Sequence, residues 1–158
     1  MDALEREYSP SSRVGGSAEP FVADYVLRSE AARSALGDDI VTFAGSSLLV
    51  APDPSAPLLV FIHGGYWQAL SAEASLYLAP GALANGWSFA AVEYPLAPAA
   101  SLSQIVAECA VAIGALASLV SPARVVLAGH SAGAHLAAMT SIAARPPLPI
   151  DRTVLVSG

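Results

Sequence analysis

Hydrophobic residues in this chain form compact runs, separated by longer stretches in which apolar residues recur at helical spacing. Compact runs rich in β-branched and aromatic residues indicate strands that are buried within a sheet. The predicted strands cover residues 58–62, 87–92, 123–128 and 153–156. The predicted helices cover residues 72–85, 102–119 and 132–144. Because strands and helices alternate, we expect an α/β protein with a mostly parallel sheet and helices on both faces.

Glycine and proline residues mark the boundaries of these elements. Gly86 is placed to end the helix before it in the left-handed conformation, and Pro146 and Pro147 are placed to end the last helix. Residues 40–50, ahead of the first buried strand, indicate one or two short strands broken at Gly45.

The start of the chain is its most polar part. Residues 1–24 combine charged residues with glycine and proline, which is typical of an extended arm, and a helix is predicted over residues 25–36. We therefore divide the chain into an N-terminal arm and helix, residues 1–37, and a domain with the alternating pattern, residues 38–158. A length of 158 residues suits one domain with a substantial core.

The composition adds an apolar excess, with 54% hydrophobic residues, 13% charged residues and a mean hydropathy of +0.56. The longest apolar stretch, residues 102–120, raises the question of a membrane span, but Gln104 and Glu108 interrupt it. We interpret it as a buried helix and expect no membrane partner. The first twenty residues carry four acidic residues and no apolar signal-peptide core, so we expect a cytoplasmic protein.

The formal net charge is −6, and the few Lys and Arg residues are scattered singly. Nucleic acid is therefore not expected as a partner, because phosphate binding requires a clustered basic face. The single cysteine, Cys109, cannot form an internal disulfide and is expected to pack as a small hydrophobic residue. No acidic or sulfur ligand accompanies the three histidines at metal-site spacing, so no metal is expected.

The strongest chemical signal is the sequence Gly129-His130-Ser131-Ala132-Gly133. It follows a predicted strand and opens a helix of small residues, which is the setting of a nucleophile elbow. A serine on such a tight turn needs very small residues two positions away on either side. The turn presents the serine hydroxyl at the N-terminus of the helix, where free N–H groups stabilise negative charge. We therefore predict that Ser131 is a nucleophile, with a chance match as the alternative.

The second signal is His63-Gly64-Gly65-Tyr66-Trp67, directly after the first buried strand. Acyl transfer builds a negative oxygen in the transition state, and preorganised backbone N–H groups stabilise it. Adjacent glycines let the backbone approach a substrate without a side chain in the way. We expect Gly64, Gly65 and Tyr66 to form the loop of an oxyanion hole, with an ordinary glycine turn as the alternative.

The predicted donors of this oxyanion hole are the N–H groups of Gly65, Tyr66 and Ala132. The side chains of Tyr66 and Trp67 lie on the same loop and are candidates for binding an aromatic substrate. Trp87, in a predicted strand, is expected to pack in the core.

None of the three histidines is predicted to be the general base. His63 ends a strand and is expected to fix the oxyanion loop by hydrogen bonding. His130 occupies the variable position of the elbow, where it would line the site or pack. His135 follows Ser131 by four residues on the next helix, so its side chain should run beside the elbow.

Four stretches of the chain, LEREYSPS at residues 4–11, HGGYWQ at residues 63–68, GHSAGAHLAA at residues 129–138 and LVSG at residues 155–158, resemble the kynurenine formamidase (arylformamidase) family of the α/β-hydrolase fold. The arm is the discriminating stretch, because carboxylesterases share the second and third more loosely. The resemblance implies a serine hydrolase that converts N-formyl-L-kynurenine to kynurenine and formate in tryptophan catabolism. It implies a small-molecule substrate, no cofactor, and a homodimer as the candidate assembly of the full-length form.

The resemblance assigns the nucleophile to Ser131 but leaves the triad acid and base without a match. In α/β-hydrolases both follow the serine along the chain. The only later acidic residue is Asp151 and the only later histidine is His135, and neither is expected at a triad position. We therefore expect residues 38–158 to be a C-terminally truncated domain that ends after the strand following the nucleophile helix and is inactive by itself. A carboxylesterase and a non-catalytic hydrolase remnant are the alternatives.

Overall fold

Six strands and four α-helices make up the part of the chain that the computed structural model describes, residues 17–143 and 148–157. The strands are β1 (Val41–Phe43), β2 (Ser47–Val50), β3 (Leu58–Ile62), β4 (Ser88–Val92), β5 (Val125–His130) and β6 (Arg152–Val156). The α-helices are α1 (Glu19–Leu36), α2 (Ala79–Ala84), α3 (Leu102–Leu116) and α4 (Ala132–Ala143). Two 3₁₀ helices, Gly37–Asp39 and Glu73–Leu78, lie between them.

The strands form one sheet in the order β1-β2-β4-β3-β5-β6. Strands β3 to β6 run parallel to their neighbours among themselves, whereas β1 and β2 add an antiparallel edge. Each connection between two parallel strands contains helix, because a parallel pair needs a long crossover. The prediction of an α/β protein with a mostly parallel sheet is confirmed.

The sheet is covered on both faces because successive residues of a strand point to opposite sides. On one face, α3 and α4 pack over strand residues such as Val60, Ala90 and Leu127. On the other face, α1 and the 3₁₀ helix Glu73–Leu78 pack over a second set that includes Phe89. The predicted helices on both faces are therefore present.

Two helices differ in length from the sequence-based predictions. Helix α1 begins at Glu19, six residues earlier than predicted, because Pro20 fits the first helical turn, where its missing N–H needs no acceptor. Helix α3 ends at Leu116, three residues earlier than predicted. A capping box between Ser101 and Gln104 starts α3, so the polar Gln104 defines the beginning of this helix.

The helix predicted over residues 72–85 is split into the 3₁₀ helix Glu73–Leu78 and the short α2. Pro80 lies in the first turn of α2 and has no N–H, so it cannot donate the hydrogen bond that would continue one helix through this point. Gly86 has φ +74, as its position after the helix predicted. The hairpin of β1 and β2 turns at Gly45, which also has positive φ.

Residues 1–16 of the arm predicted over residues 1–24, and the proline pair at 146–147, lie outside the described residues, whereas residues 19–24 are helical and not extended. The division of the chain after residue 37 stays a prediction. Helix α1, which belongs to the N-terminal part of this division, packs on the domain through the buried residues Ser29 and Ala32. None of the helices in the described part is long and apolar enough to cross a membrane.

Strand β6 forms one edge of the described sheet and is exposed along its whole length. Val154, Leu155 and Val156 are 44%, 53% and 45% exposed. An exposed apolar edge of this kind favours pairing with another strand.

The core on the α1 face generates a stability prediction. Phe89 is fully buried in β4, and replacing it with alanine should lower the free energy of unfolding by about 3–5 kcal/mol through lost burial and the cavity left behind. Phe21 in α1 is 50% exposed, so Phe21→Ala is a matched control that should change it by less than about 0.5 kcal/mol. Urea unfolding followed by circular dichroism measures both, and equal losses would contradict the assigned core.

Candidate active site

Ser131 lies on the tight turn between β5, which ends at His130, and α4, which begins at Ala132. Its φ is +53, a left-handed conformation that a residue with a side chain rarely adopts. Three backbone hydrogen bonds hold this turn: the Ser131 N–H donates to the carbonyl of Val156 at 2.8 Å, and the Ser131 carbonyl accepts from the N–H groups of Ala134 and His135 at 2.9 and 3.3 Å. Ser131 is also partly exposed. A strand, a left-handed serine and a helix in succession have the geometry of the predicted nucleophile elbow.

The two glycines of the elbow are required by close backbone packing. A Cβ atom on Gly129 would overlap the carbonyl group of Gly133, one turn into α4. A Cβ atom on Gly133 would overlap the carbonyl oxygens of Ile62 and His63 at the end of β3. The spacing of glycines around Ser131 therefore reflects backbone segments that touch directly.

The predicted oxyanion loop lies against the elbow. A Cβ atom on Gly64 would lie 2.7 Å from the His130 carbonyl oxygen and 3.3 Å from the Cβ of Ser131. Gly65 has φ +100, and its carbonyl accepts hydrogen bonds from the N–H groups of Gln68 and Ala69 at 2.9 and 3.0 Å. The loop is thus a compact turn whose glycines let it approach the nucleophile.

The N–H groups predicted to be oxyanion donors are available. Those of Gly65 and Tyr66 have no recorded acceptor among residues 17–143 and 148–157. The N–H of Ala132 is the first of α4, and such groups have no acceptor within their own helix. Free N–H groups beside a serine hydroxyl can stabilise a negative oxygen, and their assignment as donors remains a proposal.

His63 is buried beneath this loop, with only 3% of its surface exposed. Its Nδ1 lies 2.9 Å from the carbonyl oxygen of Gly64, and its Nε2 lies 3.3 Å from Glu93 Oε1. The ring stacks on Tyr94 with centroids 4.1 Å apart. These contacts agree with the prediction that His63 holds the loop by hydrogen bonding.

Glu93 and Tyr94 were not found by sequence reasoning. Glu93 Oε2 accepts a hydrogen bond from the N–H of Ala72 at 2.9 Å, and Oε1 accepts one from the N–H of Tyr94 at 3.1 Å. The buried Tyr94 hydroxyl shares its one proton in a three-centre hydrogen bond with the carbonyl oxygens of His63 and Gly64, at 2.9 and 3.2 Å. The signal that could have found them is position, because both directly follow β4, and the carboxyl ends of parallel strands meet at one edge of the sheet.

Burial and hydrogen bonding set the ionisation of this pair. Burial acts to raise the pKa of Glu93 and is the largest single effect. The hydrogen bonds from His63 and from the N–H groups of Ala72 and Tyr94, together with the charge of His63, outweigh it, so the pKa lies below the ordinary value. Burial raises the pKa of Tyr94 far above its ordinary value, so its hydroxyl stays a donor. The cluster therefore combines a carboxylate that accepts hydrogen bonds with a phenol hydroxyl that donates them.

The remaining histidines and Asp151 lie where the sequence analysis expected. His135 is exposed on α4, and its ring meets Trp67 edge to face with centroids 5.4 Å apart. His130 is partly exposed beside Gly64. Asp151 pairs with Val125 through two hydrogen bonds, at 2.7 and 2.9 Å. Because Val125 begins β5 and the elbow follows its end, Asp151 lies at the opposite end of the strand and is not a partner of the serine.

The aromatic residues differ in placement. Tyr66 is 67% exposed on the loop, and Trp67 is partly buried against the core. The prediction for Trp87 was wrong: it precedes β4, is only partly buried and lines a shallow cleft with Pro52 and Leu83. Its strand begins one residue later, at Ser88, so its side chain is not held between sheet and helix. The described residues contain no group of three or more His, Cys, Asp or Glu that could hold a metal ion.

Comparison with known proteins agrees with this geometry. The profile of the alpha/beta hydrolase fold family matches residues 59–158, and the chain belongs to this family. Within the family it is kynurenine formamidase-like: it is 31% identical to the kynurenine formamidase of Danio rerio over 156 residues, which is 87% of this chain and 52% of that protein. It is 35% identical to that of Drosophila melanogaster over 86 residues, which is 52% of this chain and 29% of that protein. The resemblance stated from the motifs is confirmed.

Solved structures support the same fold. A proposed thioesterase from Silicibacter superposes with a TM-score of 0.76 at 33% identity, covering 88% of this chain and 56% of that chain. A bacterial heroin esterase superposes with a TM-score of 0.62 at 27% identity, covering 85% and 52%. The chain spans about half the length of the curated relatives that match most of it.

The packing of the elbow against β3 generates a second prediction. Gly133→Ala would force a methyl group into the backbone of β3, and should lower the free energy of unfolding by about 1–3 kcal/mol through overpacking. Gly81→Ala is the matched control, because the space around Gly81 in α2 is open. That change should raise stability by about 0.5–1 kcal/mol through better helix propensity. Urea unfolding compares the two, and a harmless Gly133→Ala would disprove the close contact.

The lowered pKa of Glu93 generates a third prediction. A carboxyl group whose folded pKa lies below its ordinary value of 4.5 contributes stability that is fully present above about pH 4.5. This contribution is lost as the pH falls further, through the folded pKa. Unfolding measured between about pH 6 and about pH 3 should therefore show a shallower acid decline in Glu93→Gln than in the parent chain. Parallel declines would mean that these hydrogen bonds do not favour the charged form.

Proposed function

We propose that this protein is a serine hydrolase of the kynurenine formamidase type, in which Ser131 attacks the formyl group of N-formyl-L-kynurenine. The observation that carries the proposal is the left-handed turn at Ser131, against which the glycine loop packs so closely that a Cβ atom on Gly64 would lie only 3.3 Å from the serine Cβ. Similarity to kynurenine formamidases over 87% of the chain supports the substrate class. The hydrolase class follows from the family, and the particular substrate is the proposal.

The proposed chemistry is acyl transfer in two steps. The Ser131 hydroxyl oxygen forms a bond to the formyl carbon, and the carbonyl oxygen becomes a tetrahedral oxyanion. The N–H groups of Gly65, Tyr66 and Ala132 are proposed to stabilise this oxyanion, each contributing about 3 kcal/mol in the transition state. The carbon–nitrogen bond then breaks, and the amine leaves with a proton. Water attacks the formyl ester, releasing formate and restoring the serine.

A serine hydroxyl is a weak nucleophile by itself. It needs an adjacent general base that takes its proton. Among the described residues, His135 and Asp151 do not stand where a triad would need them, since one packs beside the elbow and the other lies at the far end of β5. We therefore propose that the 158 residues alone have little or no activity. The complete reaction is proposed to need an acid and a base of the kind that α/β-hydrolases carry after the serine.

A carboxylesterase acting on a different small ester is the second candidate. The likeness to a bacterial heroin esterase supports it, because that protein has the same fold and is 27% identical. The two candidates differ in the group attached to the reacting carbonyl, an amide nitrogen in the first and an ester oxygen in the second.

The test compares N-formylkynurenine with p-nitrophenyl acetate as substrates of the protein from the full reading frame. We expect a higher kcat/KM on N-formylkynurenine, and Ser131→Ala should reduce it by at least about 10³-fold, as loss of a triad serine does. Ser118→Ala, at an exposed serine on the surface, is the matched control and should leave the rate unchanged.

A higher kcat/KM on the ester would favour the carboxylesterase. Full activity in Ser131→Ala would reject the nucleophile itself. A fluorophosphonate probe, which labels activated serines, should modify the parent protein and fail to modify Ser131→Ala.

A further inference from the structure

We propose that Tyr94 and Glu93 are positioning residues, which fix the orientation of the peptide unit between Gly64 and Gly65 and so aim the Gly65 N–H for oxyanion stabilisation. The inference rests on the proposed function of the loop, and it adds two residues that neither the motifs nor the family likeness identifies. Both residues follow β4 directly, and β4 pairs in parallel with β3 up to the pair Ile62 and Val92. They therefore stand beside the first residues of the oxyanion loop.

The argument begins with the geometry of a peptide bond. The bond between Gly64 and Gly65 is trans, and in a trans peptide the C=O and N–H point in opposite directions. The Gly64 carbonyl oxygen is held on the protein side by two groups, the Tyr94 hydroxyl at 3.2 Å and His63 Nδ1 at 2.9 Å. Fixing that oxygen directs the Gly65 N–H away from the core. The Gly65 N–H has no recorded acceptor in the described part of the chain.

The second proposed donor of the loop is oriented by different means. The Tyr66 N–H shares its peptide unit with the carbonyl of Gly65, which accepts from the N–H groups of Gln68 and Ala69. That carbonyl is held by the turn of the loop itself and not by Tyr94. Loss of the Tyr94 hydroxyl should therefore disturb the Gly65 N–H and spare the Tyr66 N–H. This difference makes the inference specific.

Glu93 supports the same arrangement through His63. Its carboxylate contacts the imidazole Nε2 and accepts from the N–H groups of Ala72 and Tyr94, so it is fixed on three sides. Its own N–H donates to the hydroxyl of the buried Ser47 at 2.9 Å. An anchored carboxylate keeps the His63 ring at the angle at which Nδ1 reaches the Gly64 carbonyl. The ring stack on Tyr94 adds a second constraint on the same angle.

The first experiment uses the 158-residue chain and needs no activity. In ¹H–¹⁵N spectra, Tyr94→Phe keeps the ring stack and removes only the hydroxyl, so it should displace the Gly65 amide resonance and leave that of Tyr66 in place. Ser118→Ala is the control, because it also removes a hydroxyl that donates to a backbone carbonyl, that of Ala115, and Ser118 is exposed on the surface just after α3. A Gly65 resonance that does not move in Tyr94→Phe overturns the proposal.

The second experiment measures kinetics of the protein from the full reading frame. An oxyanion donor acts in the transition state, so Tyr94→Phe and Glu93→Gln should lower kcat about 10-fold and change KM less than about twofold. Glu108→Gln is the matched control, since Glu108 is exposed and lines the same surface cleft as Glu93. Unchanged kcat in both variants, or a loss confined to KM, would refute the positioning role.

The two experiments separate failure of this inference from failure of the proposed function. If the full-length protein hydrolyses neither an amide nor an ester, the proposed function fails, and the amide spectra still decide whether Tyr94 orients the Gly65 peptide. If the protein is active and Tyr94→Phe keeps its kcat, the function stands and the positioning role is wrong. Circular dichroism spectra of the variants that match the parent spectrum at the assay temperature exclude a general loss of folding as the cause.

Discussion

The site depends on direct backbone contact between two segments that follow neighbouring parallel strands. Gly133, in the first turn of α4, touches the carbonyl oxygens that end β3, and Gly64, just after β3, touches the turn that ends β5. Neither contact leaves space for a Cβ atom. The strained φ of Ser131 persists because these contacts and the hydrogen bond to Val156 over-determine the turn.

The second constraint is the buried polar cluster beneath the loop. A buried carbonyl or carboxylate is costly unless it is hydrogen-bonded, and here each polar group of the cluster has a partner. The Tyr94 hydroxyl serves two successive carbonyls, and the Glu93 carboxylate serves a ring nitrogen and two backbone N–H groups. Satisfied networks of this kind are rigid, and a rigid loop is what an oxyanion hole requires.

Strand β6 connects the sheet edge to the nucleophile. Its carbonyl at Val156 accepts the hydrogen bond from the Ser131 N–H, so pairing of β6 with β5 directly supports the elbow. Its side chains nevertheless remain exposed. The strand that accepts the hydrogen bond from Ser131 is thus also the most exposed strand of the described sheet. Any segment that covered β6 would therefore also support the turn at Ser131.

Local features of the sequence were sufficient for the existence and order of the strands and helices and for the two loops of the site, although β5 covers residues 125–130 where residues 123–128 were predicted. Apolar runs identify buried strands because such strands are covered on both faces, and the glycine spacings identify Ser131 and Gly64 because only glycine tolerates those contacts. The split at Pro80 and the early start of α1 at Glu19 follow from proline chemistry that helical periodicity does not register. Only the tertiary structure revealed Glu93 and Tyr94, since residues distant in sequence become neighbours of His63 when β4 pairs with β3. The tertiary structure also showed that Asp151 and the elbow lie at opposite ends of β5. The number of residues between Asp151 and Ser131 in the sequence does not predict this distance.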